Sequence, residues 1–259
     1  MSIGSMMLSM NNVKAALSAL DGLLYLDPGN SSSYSGSGTT WNDLSVNNNT
    51  ATLVGSPGFT SAGAGSYFTF NGSGTQYATT AAAKYNQTYT GKTVIVALKV
   101  NASAWTNGVD QYRGFFGTST GSRNFNTYIH HDSSNNLQIH YSAGGTGGFS
   151  NNITLTPGQW YTVAVTHTTG GLVTYYVNGQ AAGTNSGITF TQYLSSSTEN
   201  IGRTDNNWYG DIGVTAVYGR ALSAGEIQQV SNTIAASYAG VTSNLVAYYD
   251  PRNLSNESC

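Results

Sequence analysis

Trp-Tyr-Thr-Val-Ala-Val-Thr-His-Thr-Thr-Gly-Gly-Leu-Val-Thr-Tyr-Tyr-Val-Asn-Gly, residues 160 to 179, is the stretch whose reading decides the fold. Tyr161, Val163 and Val165 fall on one side of an extended chain, and Thr162, Ala164 and Thr166 on the other. That period of two is the signature of a half-buried strand. Gly170-Gly171 supplies a tight turn, because glycine reaches positive φ at little cost. The β-rich run Leu172 to Val177 leads back, and Asn178-Gly179 is a strong hairpin signal. A third strand is expected from Asp211 to Tyr218, where Ile212, Val214, Ala216 and Tyr218 alternate with Gly213, Thr215 and Val217. Ser223 followed three residues later by Glu226 reads as a capping box. The helix it opens places Ile227, Val230 and Ile234 on one stripe.

Toward the N-terminus the same grammar continues. Gly22-Leu23-Leu24-Tyr25-Leu26-Asp27-Pro28-Gly29-Asn30 is an apolar strand ending in a Pro-Gly turn, followed by a polar loop and the aromatic Trp41. Strands are expected near Tyr67 to Phe70 and Thr93 to Val100. The second of these alternates Val94, Val96, Leu98 and Val100 with Ile95, Ala97 and Lys99, which predicts cover on both faces. Together with Ile201-Gly202-Arg203 and the run from Trp208 to Ile227, these residues resemble the laminin-G-like, concanavalin-type jelly-roll domain over about residues 22 to 237. The opening, Gly22 to Asn30 with Trp41 and Asp43-Leu44-Ser45, resembles the start of tandem modules in bacteriophage and bacterial surface proteins. The resemblance implies an all-β fold, a concanavalin-like antiparallel β-sandwich (jelly roll), with short N-terminal and C-terminal helices. It also implies a binding and assembly scaffold, although a fold by itself does not fix a function.

Three regions are expected: an arm over 1–21, the jelly-roll domain over 22–240, and a tail over 241–259. In the arm, Asn11 or Asn12 caps a helix on which Val13, Ala16, Leu17 and Leu20 share a face. That face is either a lid on the domain's own core or a docking arm. In the tail, Leu245, Tyr248 and Tyr249 lie in Asn244 to Asn253, which repeats the pattern of Leu23 to Asn30. A trimmed tandem array, a vestigial duplication, a strand donated to a neighbouring subunit and an ordinary terminal strand all account for it.

Composition narrows the function classes. Only 8% of the residues are charged, against roughly a quarter in typical globular proteins, so contacts are expected to be weakly charged: stacked subunits or sugars. The net charge of −2 gives no electrostatic reason for nucleic acid or an anionic membrane. The single cysteine, Cys259, excludes an internal disulfide. Met1 to Met10 has neither a basic region nor a continuous apolar run, so a secretory signal is not expected, and no apolar run approaches a membrane span. Asn71-Gly72-Ser73 and Asn86-Gln87-Thr88 match the glycosylation sequon and are read as chance matches in an Asn- and Ser-rich chain.

No enzyme is expected. Glycoside hydrolysis needs two carboxylates about 5 to 9 Å apart on facing strands, and the 11 acidic residues are scattered singly. Asp211 is the least implausible acid, and a strand-end hydrogen bond accounts for it better. Related modules carry Phe-Asp-Gly-x-Asp-Asp-Tyr, whose carboxylates suit calcium; here Phe70-Asn71-Gly72-Ser73-Gly74-Thr75-Gln76-Tyr77 lacks them. Asn and Ser can lend neutral oxygens, but calcium sites usually need carboxylate charge, so no cofactor is expected, with calcium the one candidate the resemblance leaves open. The polar constellation lies instead on Asn126 to Tyr141. Pairing Ile129 with Ile139 sets Tyr128 opposite His140 and His130 opposite Gln138, all four on one face. An aromatic ring among hydrogen-bonding side chains suits a sugar, and two diagonal histidines suit a transition metal. Trp105 and Trp208 are weaker candidates, since large aromatics are usually core.

The expectation is a non-enzymatic structural or interaction protein, first a phage virion component (capsid decoration, tail or fibre). It would assemble with copies of itself as a homo-oligomer, or with other virion proteins, through Val13, Leu17, Leu20, Leu245, Tyr248 and Tyr249. The alternative is a carbohydrate-binding module that recognises surface polysaccharide through Tyr128, His130, Gln138 and His140, on a virion, outside the cell or at its surface. Catalysis ranks third.

Overall fold

The computed structural model describes residues 22–80, 89–118, 125–190 and 198–239. The arm with Val13, Leu17 and Leu20, the tail with Leu245, Tyr248 and Tyr249, and the sequon at Asn86 lie outside the described residues. Two antiparallel eight-stranded sheets stack face to face. The first runs β14 (Gln180–Asn185), β13 (Val173–Val177), β12 (Trp160–Thr168), β7 (Gly91–Val100), β16 (Tyr209–Tyr218), β5 (Tyr67–Asn71) and β4 (Gly58–Thr60). β1 (Gly22–Leu26) pairs with the half of β16 that β5 leaves open. The second sheet runs β11 (Thr146–Phe149), β10 (Leu137–Ala143), β9 (Asn126–His131), β8 (Gln111–Thr118), β15 (Glu199–Ile201), β6 (Tyr77–Thr80), β3 (Ala51–Val54) and β2 (Thr40–Trp41). One long helix, α1 (Ala224–Tyr238), follows β16.

The turns expected between these strands form as the residues require. Gly171 has φ +83°, and Asn178 and Gly179 have φ +50° and +80°, the two positive values of a type I′ hairpin. The sheets are held by the alternation read in the sequence. Val94, Val96 and Leu98 of β7 and Val163 and Val165 of β12 point inward against Phe115, Phe116, Ile129, Ile139 and Tyr141 of the second sheet, all fully buried. Each such side chain contributes about 1.5–3 kcal/mol on leaving water.

β7 is covered on both faces, as its sequence predicts. Ile95 and Ala97 face outward with Ala164, Val214 and Ala216, and Ile227, Val230, Ile234 and Tyr238 of α1 pack over them. The capping box is present: Ser223 Oγ accepts from the Glu226 N–H, and Glu226 Oε2 accepts from the Ser223 N–H. The helix is anchored at its far end by the Tyr238 hydroxyl, which accepts from the Val214 N–H at 2.8 Å. Gly213 makes room for it, since a Cβ there would stand 1.7 Å from that oxygen. With α1 on the first sheet, the outer face of the second sheet is left without a helix among the described residues.

The sandwich interior also holds polar groups. Lys92 and His167 are paired across β7 and β12 and point inward, and Glu199 reaches the interior from β15; none is exposed. Lys92 Nζ lies 5.5 Å and 5.3 Å from the ring centres of Phe125 and Phe190. Burial lowers the Lys92 ammonium to about 7, opposed by the charge of Glu199. His167 is built as a neutral ring: Nδ1 accepts from the Tyr141 hydroxyl at 2.8 Å, and Nε2 donates to the Ile188 carbonyl at 3.2 Å. Burial lowers it from 6.5 to about 4. Between those values the unfolded chain binds a proton that the folded chain refuses, so stability rises with pH through this window. The urea midpoint should therefore fall as the pH is lowered from 6.5 to 4, and His167→Gln should flatten the fall. An undiminished fall in the variant would assign it to other groups.

Candidate functional site

The β9–β10 hairpin turns on Asp132, whose Oδ1 accepts from the Ser134 and Asn136 N–H groups, with Asn135 at φ +66°. This turn sets the register His130 to Gln138, Ile129 to Ile139 and Tyr128 to His140. Ile129 and Ile139 are fully buried in the core. Tyr128, His130, Gln138 and His140 consequently share the outer face of the second sheet.

That face is a layered cluster of rings rather than an open sheet surface. Tyr128 is 2% and His130 6% exposed. Tyr112 of β8 stacks on His130, ring centres 4.3 Å apart, and meets Tyr128 and His140 edge-on at 5.9 Å and 5.3 Å. Phe149 of β11 stacks on His140 at 4.4 Å and lies 5.0 Å from His130. Phe149 and Val109 are two of the four large apolar side chains exposed among the described residues. Tyr128, expected to receive a ligand directly, instead forms the floor on which the half-buried rings rest.

Two carboxylates reach the cluster from loops. Asp110 Oδ1 lies 2.5 Å from His130 Nε2, and the Tyr128 hydroxyl donates to Asp205 Oδ1 at 2.5 Å. The Tyr128 oxygen also accepts from Asn126 Nδ2 at 3.0 Å. Burial, reinforced by Asp205, pushes the Tyr128 phenol above its ordinary range. The loop that carries Asp205 can cross the sheet because residue 114 is glycine: a Cβ there would stand 2.1 Å from Thr204 Oγ1. The β7–β8 loop that carries Asp110 is pinned at several points. Arg113 donates to the Ala104 carbonyl through Nε at 3.0 Å and Nη2 at 2.7 Å, and the Gly108 N–H donates to Asn135 Oδ1 at 2.8 Å. His131 Nδ1 lies 3.1 Å from the Val109 carbonyl, and its ring stacks on Trp105 at 5.5 Å.

The other sequence candidates lie elsewhere. Trp208 is core, and Trp105 is partly buried against it. Asp211 pairs with Lys99 at 2.7 Å and accepts from Thr69 Oγ1 at 2.7 Å, on the helix-bearing sheet. Asn71 Oδ1 accepts from the N–H and hydroxyl of Ser73, closing its own turn. Among the described residues no group of three or more His, Cys, Asp or Glu side chains is arranged to hold a metal ion. Sequence reading missed Asp110, Tyr112, Phe149 and Asp205. Tyr112 carried a signal, since it alternates with Gly114 on a strand; Phe149 is hidden in the glycine-rich run after Ala143, and the two aspartates are loop residues.

Residues 102–228 match the family model of the concanavalin A-like lectin/glucanases superfamily. The fold is that of the concanavalin A-like lectins and glucanases. Every residue of the ring face and its rim, from Val109 to Asp205, lies inside the matched segment. No curated protein matches the chain in sequence. Among solved structures, domain 4 of an extracellular arabinanase from Geobacillus stearothermophilus, in complex with arabinotriose, superposes with a TM-score of 0.60 at 14% identity, over 82% of this chain and 98% of that one. The binding domain of botulinum neurotoxin DC, in complex with a sialylated ligand, gives 0.60 at 13% over 83% of this chain. A structure of botulinum neurotoxin type C, whose cell entry is dependent upon interaction with two ganglioside molecules, gives 0.62 at 14% over 87%. The chain spans about half the length of these two toxin chains, 51% and 53%.

Depth in the concanavalin-like face separates structural rings from surface rings. Tyr128→Ala should cost about 3–5 kcal/mol, as for other buried aromatics, whereas Phe149→Ala should cost about 1 kcal/mol, the worth of one aromatic contact. Urea denaturation of both variants checks the contrast.

Proposed function

We propose that this chain is a non-enzymatic carbohydrate-binding domain that recognises polysaccharide through the outer face of its second sheet. The observation that carries the reading is the ring cluster in which Tyr112, His140 and Phe149 lie over the buried Tyr128 and His130, on the sheet face that no described helix covers. Ring faces accept the apolar faces of sugars, and a few convergent polar groups fix orientation. Gln138, Asp110 and Asp205 are such groups, and we assign them binding rather than acid–base roles. The arabinanase domain bound to arabinotriose and the toxin domain solved with a sialylated ligand have the same fold, which is compatible with this use of it. The geometry thus moves glycan recognition ahead of a purely structural role. Phe149→Ala should weaken binding of the full-length chain to an immobilised polysaccharide about tenfold, roughly 1.4 kcal/mol, with the melting temperature lowered by only about 2–4 °C. Equal binding by the variant would remove this face from the reading.

A second reading places the domain in a phage virion as a decoration, tail or fibre component, or otherwise outside the cell or at its surface, assembled with copies of itself or other virion proteins. Its support is the recurrence of Tyr25-x-Asp27-Pro28-x-Asn30 as Tyr248-x-Asp250-Pro251-x-Asn253. In the folded domain the Tyr25 hydroxyl donates to Asp27 Oδ2 at 3.0 Å, and Asp27 Oδ1 accepts from the Gly29 N–H at 2.9 Å, so the recurring residues hold the end of β1. Light scattering on the full chain and on residues 22–240 tests it. A defined multimer that collapses on trimming is the expected outcome, and a monomer in both argues against self-assembly through the arms.

A further inference from the structure

We infer that Asp110 is the specificity-determining residue of the ring face, that His130 positions it, and that it selects neutral sugars over acidic ones. The inference rests on the glycan-binding reading above and names the class of ligand which that site takes. The Asp110 side chain is 61% exposed, while its partner His130 is 7% exposed. A solvent-facing carboxylate is therefore tied to a buried ring. Asp110 Oδ1 lies within hydrogen-bond distance of His130 Nε2, and the His130 ring is itself in contact with Tyr112 and Phe149.

The backbone under Asp110 is as constrained as its side chain. On one side of it, Val109 is held through its carbonyl by His131 and Gly108 through its N–H by Asn135. On the other, Gln111 Oε1 accepts from the Thr106 N–H at 2.7 Å and enters the β8 pairing opposite His131. A carboxylate held this way loses little freedom when a ligand arrives, which favours affinity. It sits beside the Tyr112–His130 stack, where a sugar ring lying on Tyr112 or Phe149 presents its hydroxyls. A carboxylate accepts such hydroxyls in charge-assisted hydrogen bonds.

The same charge discriminates. Like charges brought together across an interface suppress the wrong partner, and the nearby described arginines are committed elsewhere. Arg113 is turned to the Ala104 carbonyl, and Arg203 donates to the Gly74 carbonyl with its guanidinium 3.7 Å from the Tyr77 ring centre. Of the histidines on this outer face, His130 is already engaged by Asp110, and His140 stacks on Phe149. Asp132 in the hairpin turn, its carboxyl held below the usual range chiefly by hydrogen bonds from Asn136, adds a second negative charge near this edge.

Calorimetry of the full-length chain against a fixed panel tests the assignment: arabinotriose, xylohexaose, cellohexaose and mannohexaose as neutral probes, trigalacturonate and sialyllactose as acidic ones. The native chain should bind at least one neutral probe and bind the acidic probes at least tenfold more weakly. Asp110→Asn keeps the shape and should weaken the neutral probe about tenfold, the loss of a charge-assisted hydrogen bond, while narrowing the gap to the acidic probes. His130→Leu should reproduce the loss, and His130→Gln, whose Nε2 reaches toward the imidazole Nε2 position, should restore most of it. Because Asp110 is exposed, the Asn variant tests the point even if a His130 variant folds poorly. Neutral binding that ignores Asp110→Asn, or acidic probes bound as tightly as neutral ones, overturns the selectivity and leaves the glycan reading standing. Failure of the native chain to bind any probe overturns both.

Discussion

The pairing of Ile129 with Ile139 is the constraint on which the rest of the functional geometry depends. Both side chains are fully buried, and their burial decides which way every residue of β9 and β10 points. A slip of one residue would send the isoleucines to solvent and turn Tyr128, His130, Gln138 and His140 into the core. The Asp132 turn and the apolar pair therefore reinforce each other: the turn sets the register, and the core penalises the alternative.

Around that hairpin the two sheets are finished differently. The first sheet closes its outer face with α1, and the closure depends on small residues at 97, 164, 213 and 216 that let the helix approach. Among the described residues the second sheet receives only loops on its outer face. One crosses at Gly114 and brings Asp205; another is pinned by Arg113, His131 and Asn135 and brings Asp110. Polar groups buried within the sandwich, Lys92, His167 and Glu199, are a separate feature. They face inward, away from the ring surface, and for His167 the consequence is for stability against acid.

Much of the architecture was legible as pattern. The alternation in Trp160–Thr168, the Asn178-Gly179 turn, the double-sided run through Val94 to Val100 and the Ser223–Glu226 cap are local signals, because each depends on residues a few positions apart. The register of Ile129 against Ile139 was legible for the same reason, a short loop between two alternating strands. What the pattern did not show was depth. Period two assigns a side of the sheet, but it does not say that Tyr112 and Phe149 close over Tyr128 and His130 and leave them almost without exposure.

By itself the sequence determined the fold class, the hairpin that carries the candidate face and the side on which its four polar and aromatic residues lie. Tertiary structure alone decided that α1 covers the first sheet, and that Asp110 and Asp205 join rings distant from them in the chain. Those two aspartates come from irregular segments, where no periodicity constrains direction. Their places are set by long-range contacts, the loop across Gly114 and the clamp on Val109, which appear only once the strands that hold them have been brought together.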